Sequence, residues 1–195
     1  MHDRLANLLG AASLAVTDLA LAGATRAAGV SASGAGALVV LAHAPGLGVT
    51  ELGRRVGLTQ SAAARMLDGL EAAGLARRER GPGRGVQVRL TPAGEEAVNA
   101  MLAARGAPLT TALAGLDASE RDLLGALLGK LLARLYAEIG DADVMCRLCD
   151  RGRCTDGAVC PVGQAERDAL AERDPLAERD GLARRNGEES APGAS

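Results

Sequence analysis

The chain has 195 residues, enough for one domain with an extension or for two small ones, and 48% of them are hydrophobic. It has no Phe or Trp, and Tyr136 is the one Tyr, so any core is filled by Ala, Leu, Val and Gly without large aromatic anchors. A formal charge of −2 excludes a uniformly basic polyanion binder, and with only His2 and His43 there is no serine–histidine constellation for catalysis.

Residues 3–28 read as one amphipathic helix, with Leu5, Leu8, Leu9, Ala12, Val16, Leu19 and Ala20 recurring every three or four positions and Gly29 as the stop. The uncharged run from Leu5 to Thr17 raises the question of a signal peptide. Asp18 and Arg26 interrupt it, and no run is expected to reach the ~18 apolar residues of a membrane span. A second helix is predicted from Ser33 to Ala44, with Leu38, Val39 and Leu41 inside. His43 at its end reads as a surface or satisfied core residue rather than a ligand, and Pro45–Gly48 is a loop.

The next stretch, 49–91, carries the most specific pattern. A short helix with Leu52 and Val56 inward runs into a turn at Gly57. Thr59 then caps a second helix, because its hydroxyl accepts a bond from a free first-turn N–H. Ala63, Met66, Leu67 and Leu70 form that helix's apolar face, and Ser61, Arg65 and Asp68 lie opposite, with Gln60 beside them. Gly74 ends the helix. Leu75–Arg80 and Val86–Leu90 read as strands joined by Gly81–Gly85, and Thr91-Pro92 opens the following helix. Two helices plus a basic hairpin make a winged helix-turn-helix. Eight arginines face four acids between residues 49 and 91, a local excess of four positive charges, whereas residues 164–195 carry eight acids and five arginines.

After the hairpin, Pro92 to Leu113 is helical, with a break or bend expected near residue 107 from Gly106 and Pro108. Asp117-Ala-Ser-Glu120 is a capping box. Behind it Leu123, Leu124, Leu127, Leu128, Leu131, Leu132 and Leu135 form an apolar stripe that ends at Gly140. The small winged domain offers little surface to cover so many leucines, so the stripe reads as a dimer seam, with core packing as the alternative.

The segments LTQSAAARMLDGLEAAGLARR (58–78) and GRGVQVRLTPAG (83–94) resemble the MarR family of bacterial transcriptional regulators, and the order of helices agrees from Leu5 to Ile139. The resemblance implies a mainly α fold with a small β-wing: a winged helix-turn-helix at 31–94, an N-terminal dimerisation helix at 1–30 and C-terminal dimerisation helices at 95–140. It also implies a cytoplasmic homodimer that binds operator DNA, commonly as a repressor released by a small-molecule effector. Thr59, Gln60, Ser61 and Arg65 on the second helix and Arg84 in the wing are the expected DNA-binding residues. Gln pairs bidentately with adenine and Arg with guanine, each worth about 1–3 kcal/mol of discrimination. In many relatives an acidic residue two positions before the wing arginine orients it; here that position is Pro82. Arg54, Arg55, Arg77 and Arg78 are either phosphate contacts or solvated surface cations.

All four cysteines fall within residues 144–161: Cys146, Cys149, Cys154 and Cys160, spaced Cys-x2-Cys-x4-Cys-x5-Cys. Four thiolates satisfy a tetrahedral zinc site, which makes zinc the expected cofactor. An iron–sulfur cluster, or metal-free thiols acting as a redox switch or lying inert, are the alternatives. Arg147, Arg151 and Arg153 offset the negative charge of such a site. Residues 164–195 include three hexads of the form Ala-Glu-Arg-Asp-x-Leu, and a period of six with Pro175 and Gly181 predicts a low-complexity tail that frays or stays disordered. An enzyme is not expected, since no carboxylate constellation and no glycine-rich loop after a strand are present. The rival reading is a thiol-based redox or metal-handling protein that uses the winged domain to contact proteins.

Overall fold

The computed structural model describes residues 2–81 and 85–173. In chain order the elements are α1 (His2–Ala28), α2 (Ala32–His43), α3 (Val49–Arg55), α4 (Gln60–Ala72), β1 (Ala76–Arg80), β2 (Val86–Leu90), α5 (Pro92–Leu113), α6 (Ala118–Ile139), α7 (Ala142–Met145), α8 (Arg151–Cys154) and α9 (Pro161–Arg173). The two strands pair antiparallel, with Arg78 opposite Val88, and Leu47 pairs with Val88 on the other side. The fold is therefore mainly helical with a small two-stranded wing, as the pattern predicts.

Helix starts are fixed locally. The Ser31 hydroxyl accepts from the Gly34 N–H at 3.1 Å to open α2. Thr91 accepts from the Gly94 N–H at 3.0 Å and donates to the Gly74 carbonyl at 2.6 Å, so one side chain caps α5 and ties it to the chain leaving α4. The capping box opens α6, with Glu120 N–H to Asp117 Oδ1 and Asp117 N–H to Glu120 Oε2 both at 2.9 Å.

The core is aliphatic. Leu38 and Leu41 of α2, Leu52 of α3, Leu67 of α4, Val88 of β2 and Met101 of α5 are sealed from solvent and form one cluster. Because Val88 sits in that cluster, the base of the wing is anchored in the same core as α4.

Three expectations need correction. First, the break expected near residue 107 is absent, and α5 runs on through Pro108. Pro108 lacks the N–H that would bond the carbonyl four residues back, and that carbonyl, on Ala104, faces Gly23 of α1, where a Cβ would collide with it. The helix pair α1–α5 is thus tightly packed where the ladder is interrupted. Second, α1 is long and apolar enough to cross a membrane by length and composition. The alanines, leucines and valines on both sides of Asp18 keep the mean hydropathy high despite that one charge. Third, the segment from 164 is helical as far as Arg173. Val162 is buried as α9 packs on α6, and Gln164 bonds both Arg167 and Asp168 at 2.6 Å. The remainder of the repeat tail, from residue 174, lies outside the described residues, as does the wing tip at 82–84 with Pro82 and Arg84.

Candidate nucleic-acid interface and four-cysteine pocket

The α3–α4 pair is set by contact between small residues. Ala63 of α4 is fully buried, and a Cβ added at Gly53 of α3 would lie 2.6 Å from the Ala63 Cβ. Gly57 makes the turn at φ 72°. With Ala63, Leu67 and Leu70 turned inward, Gln60, Ser61, Arg65 and Asp68 are carried on the exposed face. Thr59 accepts from the Ala62 N–H at 3.4 Å, and its hydroxyl lies 3.4 Å from that of Ser61. Thr59, Gln60, Ser61 and Arg65 are thus gathered at one open helix end, and among the described residues Arg65 enters no ion pair. Arg80, at the end of β1, is likewise exposed and outside those pairs, and the sequence reading passed over it.

The other arginines are held by acids. Arg78 bridges the wing to α4 through Glu71 and through Asp68 at 2.8 Å, while its own backbone N–H donates to Glu71 at 2.7 Å. Arg77 and Arg89 share Glu79, at 2.5 and 3.2 Å. Arg54 reaches Glu51 at 2.9 Å, Asp141 at 3.0 Å and Asp143 at 2.9 Å, and Arg55 reaches Glu51 at 2.8 Å. Hydrogen bonds from Arg54, then Arg55, hold the Glu51 carboxyl down to about 2. None of Arg54, Arg55, Arg77 or Arg78 is therefore the free surface cation that sequence alone left open.

The acids holding Arg54 belong to the cysteine segment. Asp141 caps α7 by accepting the Val144 N–H at 3.0 Å, and Asp150 caps α8 through the Arg153 N–H at 3.1 Å. These two single-turn helices and the start of α9 bring Cys146, Cys149, Cys154 and Cys160, all unpaired by disulfide and partly buried, to the wall of one cavity of about 310 Å³. On its other side the quartet faces a smaller hollow of about 180 Å³ against Arg105 and Leu132. The thiols influence one another in series, Cys146 and Cys149, Cys149 and Cys154, Cys154 and Cys160. A bond from Cys149 pulls the Cys146 thiol down; that same pairing pushes Cys149 up, and burial raises Cys154 to about 11. The Gly163 N–H donates to Cys160 Sγ at 3.4 Å. As placed, no three cysteine, histidine or carboxylate side chains among the described residues close on a single ion position.

The segment is docked on the winged domain. His43 Nε2 lies 3.3 Å from the Cys149 carbonyl, which gives that histidine a surface role, and Leu148 packs on the core. The cysteines were visible in the sequence. Asp141 and Asp143 were not, because nothing local marks an aspartate as the partner of an arginine 87 or 89 residues away.

Residues 28–85 match the model of the MarR family. No curated protein matches the chain by sequence. Among solved structures, RV1404 from Mycobacterium tuberculosis superposes with a TM-score of 0.61 at 22% identity, over 67% of this chain and 92% of that one. MepR, a transcription regulator of the Staphylococcus aureus multidrug efflux pump MepA, gives 0.60 at 20% identity, over 67% and 97%. The M. tuberculosis MarR family protein RV2887, solved in complex with salicylic acid, gives 0.51 at 28% identity, over 65% and 95%. With residues 28–85 matched by the family model and its helices and wing sharing the fold of these solved structures, the chain belongs to the MarR family of DNA-binding transcriptional regulators.

Proposed function

We propose that this regulator acts as a homodimeric repressor that sets one α4 from each subunit into successive major grooves and reads bases with Gln60, Ser61 and Arg65. Thr59 positions the helix end, and Arg84 of the wing reaches the backbone or minor groove. The observation that carries the reading is the open end of α4, where hydrogen-bonding side chains and an unpaired arginine stand on a helix whose other face is locked in the core. Dimerisation is supported by apolar side chains left facing outward on α1 and α6, among them Leu5, Leu14, Leu123, Leu127 and Leu131. Such a twofold partner fixes the spacing between the two reading helices.

Likeness to the salicylate-bound relative supports a small anionic effector. Its seat in this chain is the cleft of about 500 Å³ between α2, the wing and α5, whose wall holds Glu95 together with Arg77 and Arg89, so an entering anion competes with Glu79 for these two arginines. The four-cysteine segment serves as a second responsive element. The rival, a cytoplasmic thiol or metal handler, draws on that same cysteine cavity.

Selection of duplexes from a random pool by the purified chain separates the two, because only a DNA reader enriches a sequence. Against the selected duplex, Arg65→Ala should lose about 5- to 150-fold in affinity, and Gln60→Ala should relax preference at particular bases. Parent-like binding by both variants overturns the site. Sedimentation should give a dimer for the parent and a single chain for Leu127→Glu/Leu131→Glu; a monomeric parent overturns the dimer.

A further inference from the structure

We propose that Cys146, Cys149, Cys154 and Cys160 bind one thiophilic metal centre, and that its occupancy is transmitted to the helix-turn-helix by the ion pairs joining α7 to α3. The coupling half rests on the DNA-reading function proposed above; the metal half does not.

The metal half rests on convergence. Four cysteines from α7, the following turn, α8 and the residue before α9 reach one cavity, with no thiol left over and no disulfide among them. Four sulfur donors make a complete ligand set for zinc or for an iron–sulfur cluster and a poor one for magnesium or calcium. The Gly163 N–H directed at Cys160 Sγ is the kind of bond that steadies a ligating thiolate. Arg151 and Arg167 share the cavity wall with Asp143 and Glu166, so the wall adds no net charge of its own to the thiolates.

The coupling half rests on what loading must move. Since no three donors already close on one ion position, a centre that takes all four draws the cysteine turns together. Cys146 is the C-terminal cap of α7, a helix of four residues, so it cannot shift without carrying α7 along. Asp141 and Asp143 sit at the other end of that single turn, and both hold Arg54 at the C-terminal end of α3. Asp143 lies 3.5 Å from Arg55 as well. The helix entering the DNA-reading turn is therefore tied by charge to the element that loading displaces, which makes metal and DNA reciprocal ligands.

The test uses the full chain purified without oxygen. Elemental analysis with an absorption spectrum should give one centre per chain. Zinc without visible absorption identifies a mononuclear site, and iron with acid-labile sulfide and a visible band identifies a cluster. Cys149→Ser should drop the metal content severalfold, with circular dichroism reporting whether it folds. Affinity for the selected duplex should differ at least fivefold between loaded and chelator-stripped parent. In Asp141→Asn/Asp143→Asn, which retains a capping side chain at 141, metal content should equal the parent's and that ratio should fall below twofold. A parent without bound metal overturns the site. Cys149→Ser with the parent's metal content also overturns the site, and the same affinity ratio in metal-loaded parent and double variant overturns the coupling. If no duplex is enriched at all, the DNA-reading premise fails while the stoichiometry still decides the site.

Discussion

Replacing Gly53 by Ala tests whether the reading helix is positioned by a glycine–alanine contact. The added methyl would lie 2.6 Å from the Ala63 Cβ, against the ~3.5–4.0 Å at which carbon atoms rest. Helices α3 and α4 must therefore separate by about 1 Å, and overpacking of this kind costs about 1–3 kcal/mol. Ala gains about 1 kcal/mol over Gly in a helix interior, so the single variant shows only the difference. Ala63→Gly removes the opposing methyl at about 1 kcal/mol of helix propensity. The double variant Gly53→Ala/Ala63→Gly exchanges the two, and its stability should return close to the parent's. A double-mutant cycle by urea denaturation then isolates the steric part as a coupling of about 1–3 kcal/mol. Since the displaced helix is the one that carries Gln60 and Arg65, Gly53→Ala should also weaken binding to the selected duplex, and the double variant should recover it. A coupling near zero refutes the claim that this contact sets the helix pitch.

Gly23→Ala drives a methyl into the Ala104 carbonyl that Pro108 leaves free; a loss of about 1–3 kcal/mol should lower the melting temperature by about 2–4 °C per kcal/mol, and an unchanged melt would show that α1 and α5 do not pack at this point. Thr91→Val removes both the cap of α5 and the bond to Gly74, for an expected cost of about 1–2 kcal/mol in chemical denaturation; a loss confined to a few tenths would contradict the pairing. Glu51 has a folded pKa of about 2, below its ordinary 4.5, so its contribution to stability is fully present above about pH 4.5 and is lost as pH falls through about 2. The stability margin of the parent over Glu51→Gln should accordingly be flat near neutrality, shrink in acid and diminish in high salt, because these groups are substantially exposed. A margin that persists at pH 2 in acid titration would remove Glu51 from the cluster.

Much of the fold was legible because its signals are local. Thr59, Thr91 and the Asp117–Glu120 box mark helix starts through side chains that bond N–H groups three residues away. The inward faces of α3 and α4 follow from apolar spacing that any helix of that composition would show. Pro108 misled for the same reason. Judged locally it breaks or bends a helix; α5 nevertheless runs on through it, with Gly23 of α1 against the carbonyl it frees. The low-complexity segment misled likewise, since α6 gives α9 a surface on which a weak helical sequence becomes ordered.

What the sequence determined by itself is the reading unit: a capped helix with one greasy and one hydrogen-bonding face, followed by a hairpin. The tertiary structure decided which charges that unit keeps. Arg54 and Arg55 look as open as Arg65 in the sequence, yet aspartates nearly ninety positions downstream hold Arg54, and one of them also reaches Arg55. Helical spacing and capping act over a few residues and can be read from the chain, whereas an ion pair depends on where the whole backbone returns, and no local pattern encodes that return.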